Sequence, residues 1–424
     1  MAGTSSRSIH GVRQSILPSE VMERVLAFLP LPVLCRMRTV CKGWNHIICS
    51  SRFHDSYEQT WVGRGLGVCF STKFHSDPHT RIDRSVRGMT CFLDLDERRW
   101  YLIKGSVDQG FDTRDVAMGD GLVAEFCCPV EDEGSNHGGP SVCCIQVSDP
   151  ILKMRWMLVP CPNEDKVRSI VVVAADRGSR VFRIFLFDNS GFGKTGFHPC
   201  LWMYVSSTNK WRCASQPPRG GSDNNFARSV VVFQQGLYAI FTVFGSLGHF
   251  LASYDIEKDT WSTVFENLPA ADLVELVVSG GKLFVMLWRS ASSTSGAMML
   301  EMVEIQVLEK TSRIVLRIPA STLSHLFGER IRKRGLAITC LALRLNFNGS
   351  CSSVVLFSNS SGKVMIYNVV SATADILPEH PLRETNPRYG HHYRATHQDL
   401  CVRDILQKDA QPRAPVCVGD GKRL

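Results

Sequence analysis

The sequence contains no apolar run of about 18 residues, the length that a membrane-crossing helix requires. Its opening stretch, MAGTSSRSIHGVRQS, has no apolar core of the sort a secretory signal carries. The expectation is therefore a soluble protein of the nucleus, the cytoplasm or both, with no membrane partner. Sixteen cysteines would suit a disulfide framework in a small secreted chain, but here they are scattered over 424 residues, so most are expected to be buried, reduced thiols. The formal charge of +8 is also spread along the chain. Its one dense cluster, Arg330, Arg332, Lys333 and Arg334, reads as a solvated loop, and no direct nucleic-acid contact is expected.

Catalytic constellations are scarce as well. The segment GFGKTG ends like a phosphate-binding loop at Gly193-Lys194-Thr195. However, Asp188 stands where the first glycine belongs, and Pro199 arrives too soon for the helix such a loop opens. Cys127-Cys128 and Cys143-Cys144 flank His137, yet neither pair has C-x-x-C spacing. Adjacent residues on a strand point to opposite faces, so the expected arrangement is two strands of a hairpin and not a zinc site. His391, His392 and His397 read as a polar loop. No nucleophile, base and oxyanion donor stand at a usable spacing, so neither an enzyme, a metal nor a cofactor is expected.

Against these absences, the stretch Leu17–Cys49 is dense: 19 of its 33 residues are apolar, in a chain that is 44% hydrophobic overall. At 100° per residue Val21, Met22, Val25, Leu26, Phe28 and Leu29 share one arc, with Glu20, Glu23, Arg24 and Ala27 on the far side. Pro18 suits the first turn of that helix and Pro30 ends it. Two further short helices are expected, one opening at Leu31-Pro32 and one carrying Trp44, Ile47 and Ile48. A unit of about 40 residues cannot hide so much apolar surface in its own core, so part of it must meet another surface.

The pattern Leu17-Pro18-x-Glu20-Val21, Val25-Leu26-x-x-Leu29-Pro30, Leu34, Arg36, Arg38, Val40-Cys41-Lys42-x-Trp44-Asn45 and Ile48 resembles an F-box over its full length. That resemblance implies a three-helix hook for a Skp-type adaptor, itself held by a cullin scaffold with a RING subunit. It puts Leu17, Pro18, Leu26, Leu31, Pro32 and Leu34 at or near the adaptor, and Val40 and Trp44 in the core that holds the helices together. Gly43 departs from the basic or polar residue usual there.

The rest of the chain is short apolar runs broken by Gly, Ser, Asn and Asp, such as SIVVVAAD, RVFRIFLFD and GGKLFVMLW, which predicts a mainly β fold. Trp100, Trp156, Trp211 and Trp261 recur at intervals of 56, 55 and 50 residues in similar contexts. Tyr204 and Tyr254 each stand seven residues before one of these tryptophans. Two weaker copies follow without Trp, one with Ala374 seven residues after Tyr367. A period near 50 is the kelch length, and Gly280-Gly281 keeps the kelch double glycine, so the region resembles a degenerate kelch β-propeller. Six units are countable, and divergent repeats leave room for seven. The four tryptophans are expected in the core between blades, and target contacts in the loops 131–141, 188–200, 219–225 and 288–299.

The expected organisation is a disordered N-terminus (1–13), an F-box (14–57), a propeller (58–380) and a flexible tail (381–424). Kelch folds also host copper oxidases, but those need a secretory context and Tyr and His ligands, and this chain has only eight tyrosines. The combination is similar to plant F-box/kelch proteins, including the group typified by the floral-organ regulator. It implies a target receptor of a cullin-type ubiquitin ligase, or, as an alternative, a non-degradative adaptor bound to a transcription factor.

Overall fold

The computed structural model describes residues 17–29, 31–50, 52–53, 56–57, 60, 68–72, 89–94, 98–104, 111–119, 122–129, 144–149, 154–157, 169–176, 181–189, 199–219, 225–243, 248–279, 281–290, 298–327, 338–345, 351–358, 363–378 and 393–396. They fall into two compact units, one before residue 63 and one within 63–401. The first holds three helices, α1 (Ser19–Ala27), α2 (Leu31–Met37) and α3 (Lys42–Ile48). Among its described residues no helix is long and apolar enough to cross a membrane, and the same holds for the second unit.

Among the described residues, the second unit holds six four-stranded antiparallel sheets. Blade 2 is β4 (Phe111–Gly119), β5 (Leu122–Pro129), β6 (Cys144–Asp149) and β7 (Met154–Met157). Blade 3 is β8 (Ser169–Asp176), β9 (Val181–Asp188), β10 (Cys200–Val205) and β11 (Lys210–Cys213). Blade 4 is β12 (Asn225–Phe233), β13 (Gly236–Val243), β14 (His249–Asp255) and β15 (Thr260–Leu268). Blade 5 is β16 (Leu273–Ser279), β17 (Lys282–Ser290), β18 (Met298–Gln306) and β19 (Thr311–Ile318), followed by helix α4 (Ala320–Phe327). Blade 6 is β20 (Ile338–Leu345), β21 (Cys351–Ser358), β22 (Val364–Asn368) and β23 (Thr373–Leu377).

Blade 1 is assembled from both ends of the unit. Its strands β1 (Val68–Thr72), β2 (Met89–Asp94) and β3 (Arg99–Lys104) are joined by β24 (Tyr393–Thr396), which pairs antiparallel with β1 from Cys69↔Thr396 to Thr72↔Tyr393. This corrects the reading of 381–424 as a flexible tail, because residues 393–396 supply the innermost strand of the first blade. The first strands of successive blades touch in the cycle β24, β4, β8, β12, β16, β20 and back to β24. Among the described residues the cycle of contacts runs through six blades, the number countable in the sequence, an arrangement that covers the inner strand edges.

The apolar core lies between blades. Alternation along β17 sends Leu283, Val285 and Leu287 toward blade 4, and Phe284, Met286 and Trp288 toward blade 6. Blades 3 and 4 meet through Phe185, Phe187 and Met203 on one side and Leu237, Phe241 and Phe250 on the other. The Phe241 and Phe250 rings stack at 5.1 Å, and Phe187 meets Phe241 edge-on at 6.0 Å.

The hairpin between the third and fourth strands has four connecting residues in every blade: 95–98, 150–153, 206–209, 256–259, 307–310 and 369–372. Its last residue has positive φ wherever described, at Arg98, Asn209, Asp259, Lys310 and Ala372. The strand residue before the turn closes it in two blades. Asp255 Oδ1 accepts from the backbone N–H groups of Glu257 and Lys258, both at 3.0 Å, and Asn368 Oδ1 does the same for Val370 and Ser371 at 2.9 and 3.1 Å. Gly281, of the Gly280-Gly281 pair, sits at φ 70° in the two-residue turn between β16 and β17, a conformation that favours glycine.

Blade 5 also carries two buried carboxylates. Glu301 is held by Arg289 at 3.1 Å and Arg317 at 2.8 Å, and Glu304 by Lys282 at 2.8 Å and Arg313 at 2.7 Å. Burial pushes the Glu304 carboxyl up, but the hydrogen bonds from Lys282 and Arg313 outweigh it and hold the group below the usual glutamate value of 4.5. A depressed native pKa contributes stability above the unfolded value, and that contribution is lost as pH falls through the native one. Glu304→Gln is thus expected to lower the thermal midpoint at pH 7 and to flatten its decline below about pH 4.5, which scanning calorimetry at several pH values will read.

Candidate functional site

Helix α1 starts at Pro18, whose carbonyl accepts from the backbone N–H of Val21 and of Met22, both at 3.1 Å. Helix α3 is capped by Cys41, whose Sγ accepts from the Trp44 N–H at 3.4 Å. Arg38 Nε donates to Asn45 Oδ1 at 3.2 Å, tying the end of α2 to α3. The core of this unit is Leu26, Ala27, Leu34, Ile48, Phe53 and Tyr57, each 1% exposed or less. The Tyr57 hydroxyl donates to the Leu29 carbonyl at 3.1 Å, and its ring lies 5.8 Å from that of Phe53.

With Leu26 and Ala27 turned inward, the opposite face of α1 is left outside. Val21 (42% exposed), Val25 (50%) and Phe28 (65%) fall within about 60° of one another at 3.6 residues per turn, roughly opposite the buried pair. Leu17 (43%) precedes them on the same spacing, and Pro18 is exposed beside it. A contiguous apolar stripe of this kind marks an interaction surface.

Several expectations change here. Leu26 and Leu34, expected at or near the adaptor, are buried in the unit's own core, each 1% exposed or less. Val40 is 57% exposed and holds nothing together, while Trp44 is half-buried. Leu17 and Pro18 are at the surface as an interface requires. Leu31 and Pro32 lie in α2, with side chains outside the described residues. Val21, Val25 and Phe28 were not singled out as exposed apolar side chains, although their shared arc was the available signal. Phe53 and Tyr57 were also missed, since they follow the apolar strip in a polar context.

In the second unit the tryptophans occupy the outermost strands β3, β7, β11 and β15. The described ones are not fully buried. Trp100, Trp211 and Trp261 are half-buried, and the Trp156 side chain lies outside the described residues. Their work is at the rim: Trp261 Nε1 donates to the Ser215 carbonyl of blade 3 at 2.9 Å, and Trp100 Nε1 to the Pro378 carbonyl beyond blade 6 at 2.7 Å. The tyrosine seven residues earlier is the cross-strand partner, with ring separations of 5.4 Å for Tyr204–Trp211 and 5.1 Å for Tyr254–Trp261. Its hydroxyl reaches the left-handed turn residue, Asn209 Oδ1 at 2.8 Å and Asp259 Oδ1 at 2.5 Å. The hydrogen bond from Tyr254 holds the Asp259 carboxyl below its ordinary range.

Antiparallel order places both tight hairpins of a blade at one end, so the connections between second and third strands leave from the other. Those run over 73–88, 130–143, 189–199, 244–248, 291–297 and 359–363, longer than four residues in every case. The candidate contact loops 131–141, 188–200, 219–225 and 288–299 all join strands at that end, and their central residues lie outside the described ones. Gly193-Lys194-Thr195, His137, Cys143, His391, His392, His397 and the cluster at 330–334 lie outside them too. Cys127 and Cys144 are direct register partners on β5 and β6, the hairpin that the sequence reading required.

Polar groups collect near that open end of blade 4, where it meets blade 3 and the connection to blade 5. Asn189 brackets Ala227 with its amide, donating to the carbonyl at 3.1 Å and accepting from the N–H at 3.2 Å. His249 lies 2.9 Å from both Thr242 Oγ1 and the Ala271 carbonyl, and burial pushes its pKa down. Among the described residues no group of three or more His, Cys, Asp or Glu is arranged to hold a metal.

The F-box domain family matches residues 15–56. An F-box/kelch-repeat protein of Arabidopsis thaliana is 23% identical over 236 residues, covering 52% of this chain. The chain thus carries an F-box domain and is similar to an F-box/kelch-repeat protein. It spans 51% of the length of that Arabidopsis relative. Among solved structures, a chain of the nidogen/laminin complex overlaps 78% of this chain and 98% of its own length at 10% identity, with a TM-score of 0.44. TolB from Acinetobacter baumannii overlaps 81% of this chain and 71% of its own at 11% identity, also with a TM-score of 0.44. Likenesses this loose carry no argument.

Proposed function

We propose that this protein is the target-recognition subunit of a cullin-RING ubiquitin ligase of the Skp-adaptor type. The F-box docks on the adaptor, the six-bladed ring holds the target protein, and the receptor performs no covalent chemistry itself. The observation that carries the reading is the exposed apolar face of α1, Val21, Val25 and Phe28, on the segment that matches the F-box family. Aliphatic and aromatic side chains in a contiguous patch are what the dry centre of a stable interface needs. Tethering target to scaffold raises the effective concentration of target lysines at the ubiquitin-charged enzyme.

Co-expression of the full chain with a Skp-type adaptor tests this. The wild type is expected to capture the adaptor, and the double variant Val25→Asp with Phe28→Asp to lose capture by at least about 100-fold, roughly 2.7 kcal/mol. Because both side chains are exposed, the thermal midpoint is expected to stay put. Undiminished capture by the double variant rules the reading out.

A further inference from the structure

Blade 3 ends in two cysteines that the proposed function leaves unused. Cys200 opens β10 and Cys213 closes β11; Cys213 is exposed and Cys200 half-buried. Trp202 faces Cys213 directly across the strand pair, so Cys200, two residues from Trp202, shares its face and lies diagonally opposite Cys213. Their Sγ atoms are 3.2 Å apart. A disulfide needs about 2.0 Å, which leaves roughly 1.2 Å to close between two residues at strand ends.

We propose that Cys200 and Cys213 form a reversible dithiol/disulfide site, oxidised by small-molecule disulfides. The exposed Cys213 thiolate attacks one sulfur of the incoming disulfide, the S–S bond breaks, and one thiolate leaves. Cys200 then yields its proton to solvent and attacks the Cys213 sulfur, expelling the second thiolate. Two electrons pass from the protein to the small disulfide, which departs as two thiols.

The surroundings fix the order of attack. Burial, the hydrogen bond with Cys213 and the neighbouring charges of Cys213 and Asp188 push the Cys200 thiol up to about 12, and Asp188 is its direct cross-strand partner. Cys200 therefore keeps its proton while Cys213 reacts. Once Cys213 is capped, its hydrogen bond with Cys200, one of the influences raising the Cys200 thiol, is lost.

Oxidation would staple an edge strand of only four residues, Lys210–Cys213, to the rest of its blade. The carbonyl that receives the Trp261 indole belongs to Ser215, two residues further on. The disulfide thus stiffens the blade 3–blade 4 boundary.

The test is to incubate the native full-length chain with oxidised glutathione, alkylate the remaining thiols and digest with trypsin. Peptides 195–210 and 213–219 are expected as the dominant disulfide-linked pair, formed at least tenfold faster than any other. Reductant should release them. Cys200→Ser should stop at a glutathione adduct on Cys213, and Cys213→Ser should slow adduct formation at Cys200 at least tenfold. The oxidised wild type should melt a few degrees higher, a shift absent from Cys213→Ser. Faster linkage elsewhere, as between Cys127 and Cys144, or a wild type arrested as the Cys213 adduct, overturns the proposal.

Discussion

A chain ending at residue 392 is expected to lose most of the stability of its β unit, whereas a chain ending at residue 401 keeps it. The difference is β24. Four residues, Tyr393–Thr396, pair with β1 along its length and also touch the inner strands of blades 2 and 6. Without them blade 1 has three strands, β1 becomes an open edge, and the cycle of inner strands is cut at two contacts at once. Open edges recruit other chains, and the cost is on the order of 5 kcal/mol, comparable to the whole stability of an ordinary domain. The shorter chain is expected to melt more than about 10 °C below the longer one or to aggregate during expression. Calorimetry and size-exclusion chromatography of the two truncations decide it, and midpoints within about 2 °C of each other would show that the ring does not depend on this strand.

Trp261→Ala is expected to cost about 3 kcal/mol, and Trp261→Phe only about 1 kcal/mol. Trp261 has three ring neighbours, Tyr254 at 5.1 Å, Phe241 at 5.7 Å and Phe187 at 6.0 Å, the last from the preceding blade. Its indole N–H also joins the two blades through Ser215. Alanine deletes all four contacts and leaves a hollow that a closed ring cannot collapse into. Phenylalanine keeps most ring contact and forfeits the hydrogen bond, leaving the Ser215 carbonyl half-buried without that donor. Chemical denaturation of the three proteins gives the comparison; equal midpoints for Ala and wild type would mean that the rim tryptophan is ornamental.

Much of this was legible beforehand because the repeats left two kinds of trace. Apolar alternation marked the strands, and the tyrosine seven residues before a tryptophan marked the third and fourth strands of blades 3 and 4, where the two rings face each other across a four-residue turn. What the tryptophan does there was less legible, since spacing alone cannot tell a core ring from one that bridges two rims. The turns themselves left little sign. Their left-handed position is filled by Arg98, Asn209, Asp259, Lys310 and Ala372, not by glycine, so a glycine-based search passes over them. The strand β24 reads Tyr-Arg-Ala-Thr, with no apolar alternation at all, and it is a strand only because blade 1 lacks one.

In the F-box the composition correctly signalled surplus apolar surface, but not which residues were surplus. Val21, Val25 and Phe28 look no different from Leu26 on a helical wheel until Phe53 and Tyr57, outside the greasy strip, decide which side of α1 becomes the inside. Val40, expected to hold the helices together, is instead 57% exposed.

The uniform four-residue hairpins give the ring a polarity in what it tolerates. Turns of fixed length whose closing residue must be left-handed admit no added residues without breaking register in the outer strands. The opposite end already carries connections that range from 5 to 16 residues between the second and third strands. New sequence, whether a label, a tag or a grafted peptide, therefore fits this ring best at that end, where the connections already vary most in length.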